Sequence, residues 1–364
     1  MKITLKRTEE QLELIKAMAS KNRDTAYEAQ AALGSFMGPI LAEVINNAPA
    51  ISNLFSSLSF NPDDNPSIPL DLYYDITAAD YVTVYSQSMP GGLPTNHVAP
   101  TASELKFTTY TLDSAVSFDK RYAAKSRLDV VGKSFTRVAQ EVLLKQERTS
   151  ANLLLGTLAD TQAAATSHTA LSAFAGNFLL GDLNALITLS KRVNSSWSGG
   201  TPDTKRNGVT DLLVSPEVVE GIRGMAYNPI NTETADHTIP AAGNDAWVTA
   251  PDEIRMKLFN DSGEMASFFG VNIMEIWQLG AGQQFTNIFA GLGAMGGRTD
   301  LVLGLDLSRD SLFRAVVLDS ESGAEFSLMA DDQYSVRQQK IGYYGSVEEG
   351  RMVLDNRAVY GVLV

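Results

Sequence analysis

One apolar stripe constrains this chain more than any other feature. Leu128, Val131, Phe135, Val138 and Val142 recur at spacings of three and four, while Arg137, Glu141 and Lys145 stand four apart on another face, where they can pair. The spacing predicts one long helix from about Ser126 to Leu158. At 1.5 Å per residue, about thirty residues would reach about 45 Å, longer than a compact small domain is wide. Such a helix should act as a spine, although an amphipathic helix in any globular fold carries the same pattern.

Upstream, residues 8 to 31 alternate acidic and basic side chains around Leu12, Leu14, Ile15 and Met18, which reads as an arm and not as a core. Gly34, Gly38 and Pro39 interrupt this pattern before ILAEVI resumes it. NAPAISNLFSSLSFNPDDNPSIP then marks an extended segment, so the first 65 or so residues are expected to be elongated. DLYYDITAADYVTVYSQ and ELKFTTYTLDSAVSFDK read as strands flanking the turn-rich SMPGGLPTNHVAP, together a long hairpin. Its arms hold too few aliphatic residues for a core of their own, so it should lean on another chain.

Downstream of the spine, GDLNALITLSKRVN reads as helix and DLLVSP as a short buried strand. SPEVVEGIRGMAYN reads as a helix with Ser215 as its cap, Pro216 in its first position and Glu217 at its positive end. VNIMEIWQL, LVLGLDL and FRAVVLD read as strands between glycine-rich loops, and the C-terminus as a final strand pair. The fold class is α+β.

The composition bounds function. With 364 residues the chain allows one large domain or two to three ordinary ones, and 44% hydrophobic with 20% charged residues demands a core. Forty-two acidic against 29 basic side chains give a net charge of −13, which argues against a sequence-reading DNA binder; any nucleic-acid contact should be weak and non-specific. The absence of cysteine removes disulfides, thiolate metal sites and thiol nucleophiles. MKITLKRTEEQLELIKAM lacks the apolar run of a signal peptide, and FMGPILAEVI is about half the length that crosses a bilayer, so the cytoplasm is the expected place of synthesis and no membrane is expected.

Enzyme signatures are weak. Gly291, Gly293 and Gly296 stand in G-x-G-x-x-G order, but a strand-like run follows where dinucleotide binding needs a helix to open. The three histidines are His97, His168 and His237; only His237, near Glu233 and Asp236, could invite a metal, and a solvated charge cluster is the simpler reading. No cofactor, metal or catalytic residue is expected.

The order of elements, together with VINNAPAISNLFSSLSF, FDKRYAAKSRLDVVGKSFTRVAQEVLLKQE and LLVSPEVVEGIRGMAYN, resembles the major capsid proteins of tailed bacteriophages. These share the Hong Kong phage shell fold with encapsulin compartments and herpesvirus capsid floors. The resemblance implies an N-terminal arm at 1–65, an extended hairpin loop at 66–118, a peripheral domain with the spine helix at 119–182, an axial domain at 183–334, and a return to the peripheral domain at 335–364. It also implies a non-enzymatic protein that assembles in the host cytoplasm into pentamers and hexamers of an icosahedral virion shell around double-stranded DNA. A separate scaffolding protein, a portal and a decoration protein are the implied partners. Met89, Pro90, Gly91, Gly92, Leu93 and Pro94 on the hairpin tip, and Arg137, Glu141 and Lys145 on the spine, become subunit-contact candidates, with Gly291, Gly293 and Gly296 near the axis. Some relatives join a loop lysine to a neighbour's asparagine with a carboxylate assisting. The tip here has no lysine, and Asn356 with Glu348 or Glu349 only imitates the other half, so noncovalent assembly is expected. The alternatives are an encapsulin-like compartment shell and, on the glycine loop alone, a dinucleotide-dependent enzyme.

Overall fold

The spine forms. In the computed structural model, which describes residues 8–48, 50–61, 66–69, 104–125, 127–163, 167–193, 208–227, 267–268, 270–318, 323, 325–331 and 338–364, a single helix runs Leu128–Ala163 with Val131, Phe135, Val138 and Val142 buried. The chain divides into two compact units. Unit one holds residues 1–68, 106–151 and 313–352, and unit two holds 69–105, 152–312 and 353–364.

In unit one, α1 (Glu9–Met18) and α2 (Arg23–Asn46) lead through a 3-10 turn (Ile51–Leu54) into β1 (Ser56–Phe60). After β2 (Ser67–Pro69) and β3 (Glu104–Lys106) come β4 (Tyr110–Asp119), α3 (Lys120–Ala124) and the spine, α4. The middle arms and tip of the expected hairpin, residues 70–103, lie outside the described residues. Its returning strand is found as β3 and β4, and β4 is paired within its own chain. In unit two follow β5 (Thr169–Leu171), α5 (Leu180–Val193), β6 (Asp211–Val214), α6 (Pro216–Tyr227), β7 (Ser267–Phe268), β8 (Val271–Glu275), α7 (Gln284–Gly291) and β9 (Leu301–Leu305). The chain continues with β10 (Leu312–Val317), β11 (Ser327–Asp331), β12 (Lys340–Val353) and β13 (Val359–Leu363).

Unit one is a sheet in the order β1-β10-β12-β11 with β4 also on β12; β1 runs parallel to β10, and β12 runs antiparallel to both β11 and β4. One face of this sheet supplies Phe118, Leu328, Ile341, Tyr343 and Val347 to a core completed by the helices. Tyr343 lies at its centre, edge-on to Phe135 at 5.2 Å, stacked with Phe118 at 6.3 Å, and donating to Met18 Sδ at 3.1 Å. Burial pushes its phenol up.

The N-terminal reading needs correction, because residues 9–46 are core-forming helices and not a free arm. Ile15, Met18, Leu33, Met37, Leu41 and Ile45 are buried in the same cluster. Nor do the glycines break α2: a Cβ on Gly34 would stand 2.9 Å from the carbonyl oxygen of Leu328, so the small residues let the helix lie directly against β11. Pro39 sits on the exposed side and the helix runs through it.

Unit two centres on a six-stranded mixed sheet, β5-β13-β9-β6-β8-β7. Every residue of β9 and β13 is buried, as their unbroken aliphatic runs LVLGL and VYGVL require of strands covered on both faces. The expected C-terminal strand pair is therefore also corrected. β12 belongs to the sheet of unit one and β13 pairs with β5 and β9 in unit two, the chain turning between them at Asn356–Ala358, where Asp355 accepts from the Arg357 amide. Among the described residues no helix is long and apolar enough to cross a membrane.

Candidate assembly surfaces and the buried ionic clasp

The spine carries three of the contact candidates. Arg137, Glu141 and Lys145 are exposed on α4, in a row beside the buried Val138 and Val142. Met89, Pro90, Gly91, Gly92, Leu93 and Pro94 lie outside the described residues, as do His97 and His237.

Gly291, Gly293 and Gly296 are all exposed: Gly291 is the last residue of α7, and Gly293 and Gly296 follow in the loop to β9. Gly293, Gly296 and Gly297 have φ of 76°, 56° and 83°, the left-handed region that explains the glycines. The dinucleotide reading fails here on geometry. The pattern begins where α7 ends, and the amides of Leu292 and Gly293 already donate to carbonyls of α7, leaving no helix N-terminus and few amides to cradle a pyrophosphate. His168 is a core residue whose Nδ1 lies 3.1 and 3.2 Å from the carbonyl oxygens of Asn356 and Val359, and burial lowers its pKa. Among the described residues no group of three or more His, Asp or Glu is placed to hold a metal.

The most polar part of the interior is a clasp that sequence reasoning missed. Glu349 on β12 is fully buried, and its Oε2 accepts from Arg314 Nε at 2.8 Å, Arg351 Nη2 at 3.1 Å and Gln146 Nε2 at 3.0 Å. Its Oε1 accepts from the Tyr110 hydroxyl at 3.0 Å and Arg351 Nε at 3.2 Å. Arg351 Nη1 also donates to the Ser52 carbonyl and to Ser150 Oγ, while Arg314 Nη1 reaches Asn46 Oδ1 and Glu325 Oε2. Two arginines thus balance two glutamates, and the clasp joins α2, the 3-10 turn, β4, α4, β10 and β12. Burial pushes Glu349 up, but Arg351 and Arg314 outweigh it and hold the carboxyl below its usual range. Burial and the Glu349 charge push the Tyr110 phenol up to about 12. The clasp was signalled by Glu349 and Arg351, two charged residues in phase with the inward-facing Ile341, Tyr343 and Val347. So tightly held a carboxylate is not free to assist amide chemistry on a neighbour.

Unit two buries a different carboxyl. Asp300 accepts from Ser215 Oγ and, at 2.7 Å, from the Leu301 amide. Ser215 Oγ also caps α6 by accepting from the Val218 amide at 3.3 Å, as expected. Burial raises the Asp300 pKa against these hydrogen bonds, with Glu217 adding to the rise.

Exposed apolar side chains mark further surface. Met329 on β11 and Tyr344 on β12 are direct cross-strand partners on the outer sheet face of unit one, 55% and 36% exposed. In unit two, Trp277 is 76% and Leu171 63% exposed.

No protein-family model and no curated protein matches the sequence. Solved structures do match. The capsid chain of an empty GTA particle is similar at a TM-score of 0.51 and 12% identity, over 87% of this chain and 90% of that one. The cyanophage P-SCSP1u capsid chain follows at 0.50 and 13%, over 85% and 86%. A chain of Microbacterium phage Oxtober96 gives 0.50 and 12%, over 86% and 90%. The chain has the Hong Kong phage shell fold. The likeness covers most of this chain and of each matched chain.

Proposed function

We propose that this chain is a major capsid protein that self-assembles, without catalysis, into the icosahedral shell enclosing double-stranded phage DNA. The observation that supports this most is the shared fold over at least 85% of the chain with two capsid chains. Exposed Met329, Tyr344, Trp277 and Leu171 fit the reading, since closure into pentamers and hexamers would cover such residues repeatedly. In this reading the tip from Met89 to Pro94 lies over a neighbouring subunit, and Gly291, Gly293 and Gly296 stand near the axis of a pentamer or hexamer. Residues 183–312 act as the axial domain, a boundary earlier than the expected 334 because β10 and β11 join the sheet of unit one; the helices and sheet of unit one form the peripheral domain, and scaffolding, portal and decoration proteins are partners in the virion.

Negative-stain imaging of the purified protein tests the proposal. Closed particles of uniform diameter are expected, and a chain that stays monomeric at high concentration refutes it. Deleting residues 89–100 should abolish particles and spare the fold. Boiling particles in detergent should release one band at the monomer mass.

A further inference from the structure

The exposed side of α4 holds Lys133, Arg137, Lys145 and Arg148, beside the buried stripe of Val131, Phe135, Val138 and Val142. At 100° per residue the four cations fall within about 120° of arc, and from Lys133 to Arg148 they extend about 22 Å along the helix. Asp129 and Glu141 are the exposed acids among them, while Arg121, Lys125 and Arg127 add three exposed cations just upstream. Residues 120–148 contain eight of the chain's 29 lysines and arginines and three of its 42 aspartates and glutamates, a local net of +5; the other 21 basic and 39 acidic residues give −18.

The opposite face of unit one has the other sign. Outward positions of its sheet carry Asp113, Asp119, Asp331 and Glu348 against Lys340, because their neighbours in the alternation face the helices. The first helix, beside α3, presents Glu9, Glu10 and Glu13 with Lys16, so the positive field is centred on α4. On its helical side unit one therefore has a basic stretch confined to α3 and α4, with exposed acids Asp24, Glu28 and Glu43 on α2, and on its sheet side an acidic face.

We infer that the Lys133–Arg148 face of α4 binds the phosphate backbone of duplex DNA, and that the acidic sheet face turns away from it. This rests on the capsid reading and gives it a direction, since the helical side of unit one becomes the inner side of the shell. A span of about 22 Å covers about six base pairs at 3.4 Å each, and four separated cations meet backbone phosphates without reading bases. The remaining acidity of the chain keeps this attachment weak and salt-sensitive, which suits DNA that must enter and leave. Arg137 and Lys145 are thereby assigned to DNA and not to a neighbouring subunit.

The test is fluorescence anisotropy of the full-length unassembled chain with a 30-base-pair duplex of arbitrary sequence, titrated from 50 to 200 mM salt. Four phosphate contacts predict a slope of log K against log salt of about −3.6, a loss of about 150-fold over that range. Lys133→Gln with Arg137→Gln, and separately Lys145→Gln with Arg148→Gln, should each halve the slope, and the fourfold variant should bring it near zero. Lys191→Gln with Arg192→Gln, on α5, should leave it unchanged. Thermal unfolding of every variant is measured alongside, and the double variants keep the test valid if the fourfold one does not fold. Equal slopes for parent and variants overturn the assignment, as does a variant that loses shells while its DNA slope stays that of the parent, since the row is then a subunit contact. Failure of the parent to form shells overturns the capsid reading separately.

Discussion

The two units bury charge in opposite ways. Unit one places an ionised carboxylate, Glu349, between two guanidinium groups and satisfies both of its oxygens. Unit two keeps β9 and β13 apolar, and of its buried aspartates Asp300 is held by a hydroxyl and an amide and not by a guanidinium group. In unit one the interior charge is a joint between six elements, and taking away one member strands the others. In unit two the carboxyl is tolerated, and its removal takes an acceptor from backbone amides and from a serine already occupied as a helix cap.

The largest expected effect follows from that difference. Glu349→Ala leaves Arg314 and Arg351 buried without their counter-charge, which should cost about 3–5 kcal/mol. Asp300→Asn keeps the shape and removes the burden of a buried acid, so it should be neutral or mildly stabilising. Urea unfolding of both variants decides this. A Glu349→Ala loss below about 1 kcal/mol, or an equal loss for both, would remove the contrast.

Close packing offers a second comparison. A Cβ on Gly345 in unit one would stand 2.8 Å from Cε1 of the Phe326 ring, whereas one on Gly304 in unit two would meet Leu186 and Val209 methyls at 3.1–3.2 Å. Gly345→Ala should cost about 1–3 kcal/mol by overpacking, and Gly304→Ala less, because aliphatic side chains can give way by a few tenths of an ångström. Equal unfolding midpoints would show that the Phe326 ring moves freely.

Much of this architecture was legible in the residues, and the misses have physical causes. The 3-4 spacing of Val131 to Val142 and the Ser215-Pro216-Glu217 start reported their helices correctly, because local periodicity and capping act within a turn or two. The N-terminal helices were misjudged because Gly34 and Gly38 look like breakers when read locally. Their purpose is contact with β11, nearly three hundred residues away. The C-terminal strands were paired wrongly because nothing local says that β12 and β13 join different sheets. The clasp was hidden for the same reason, since Gln146, Arg314 and Glu349 meet only through tertiary structure. On α4 the i, i+4 spacing shows possible charge pairs, and only the sum over residues 120–148 shows the excess of cations.

A smaller effect should come from Ser215→Ala. It removes the cap of α6 and the hydroxyl donor to Asp300, and a cap is worth about 1 kcal/mol. Asp300→Asn with Ser215→Ala should then lose less than Ser215→Ala alone, because a neutral amide does not need that donor. A double variant that loses the full sum of the two single effects would show that the residues act independently.

The smallest and most discriminating effect is the sign of the response to acid. Glu349 has its folded pKa held below the ordinary 4.5, so its stabilisation is fully present above that value and is lost as pH falls through the lower folded value. Asp300 has its folded pKa raised above the ordinary 3.8, so whatever it contributes is fully present below 3.8 and is lost as pH rises through the raised value. Acidification should therefore weaken unit one through Glu349 and strengthen unit two through Asp300. His168, buried and lowered from 6.5, works against unit two in acid, so the comparison must be made between parent and variant and not on the parent alone. Urea midpoints at pH 7, 5 and 4 for the parent, Glu349→Gln and Asp300→Asn give that difference. Glu349→Gln should flatten the acid loss of unit one, while Asp300→Asn should remove a gain on acidification from unit two. If both variants shift the pH response in the same direction, the two carboxyls are held alike and the contrast between the units is wrong.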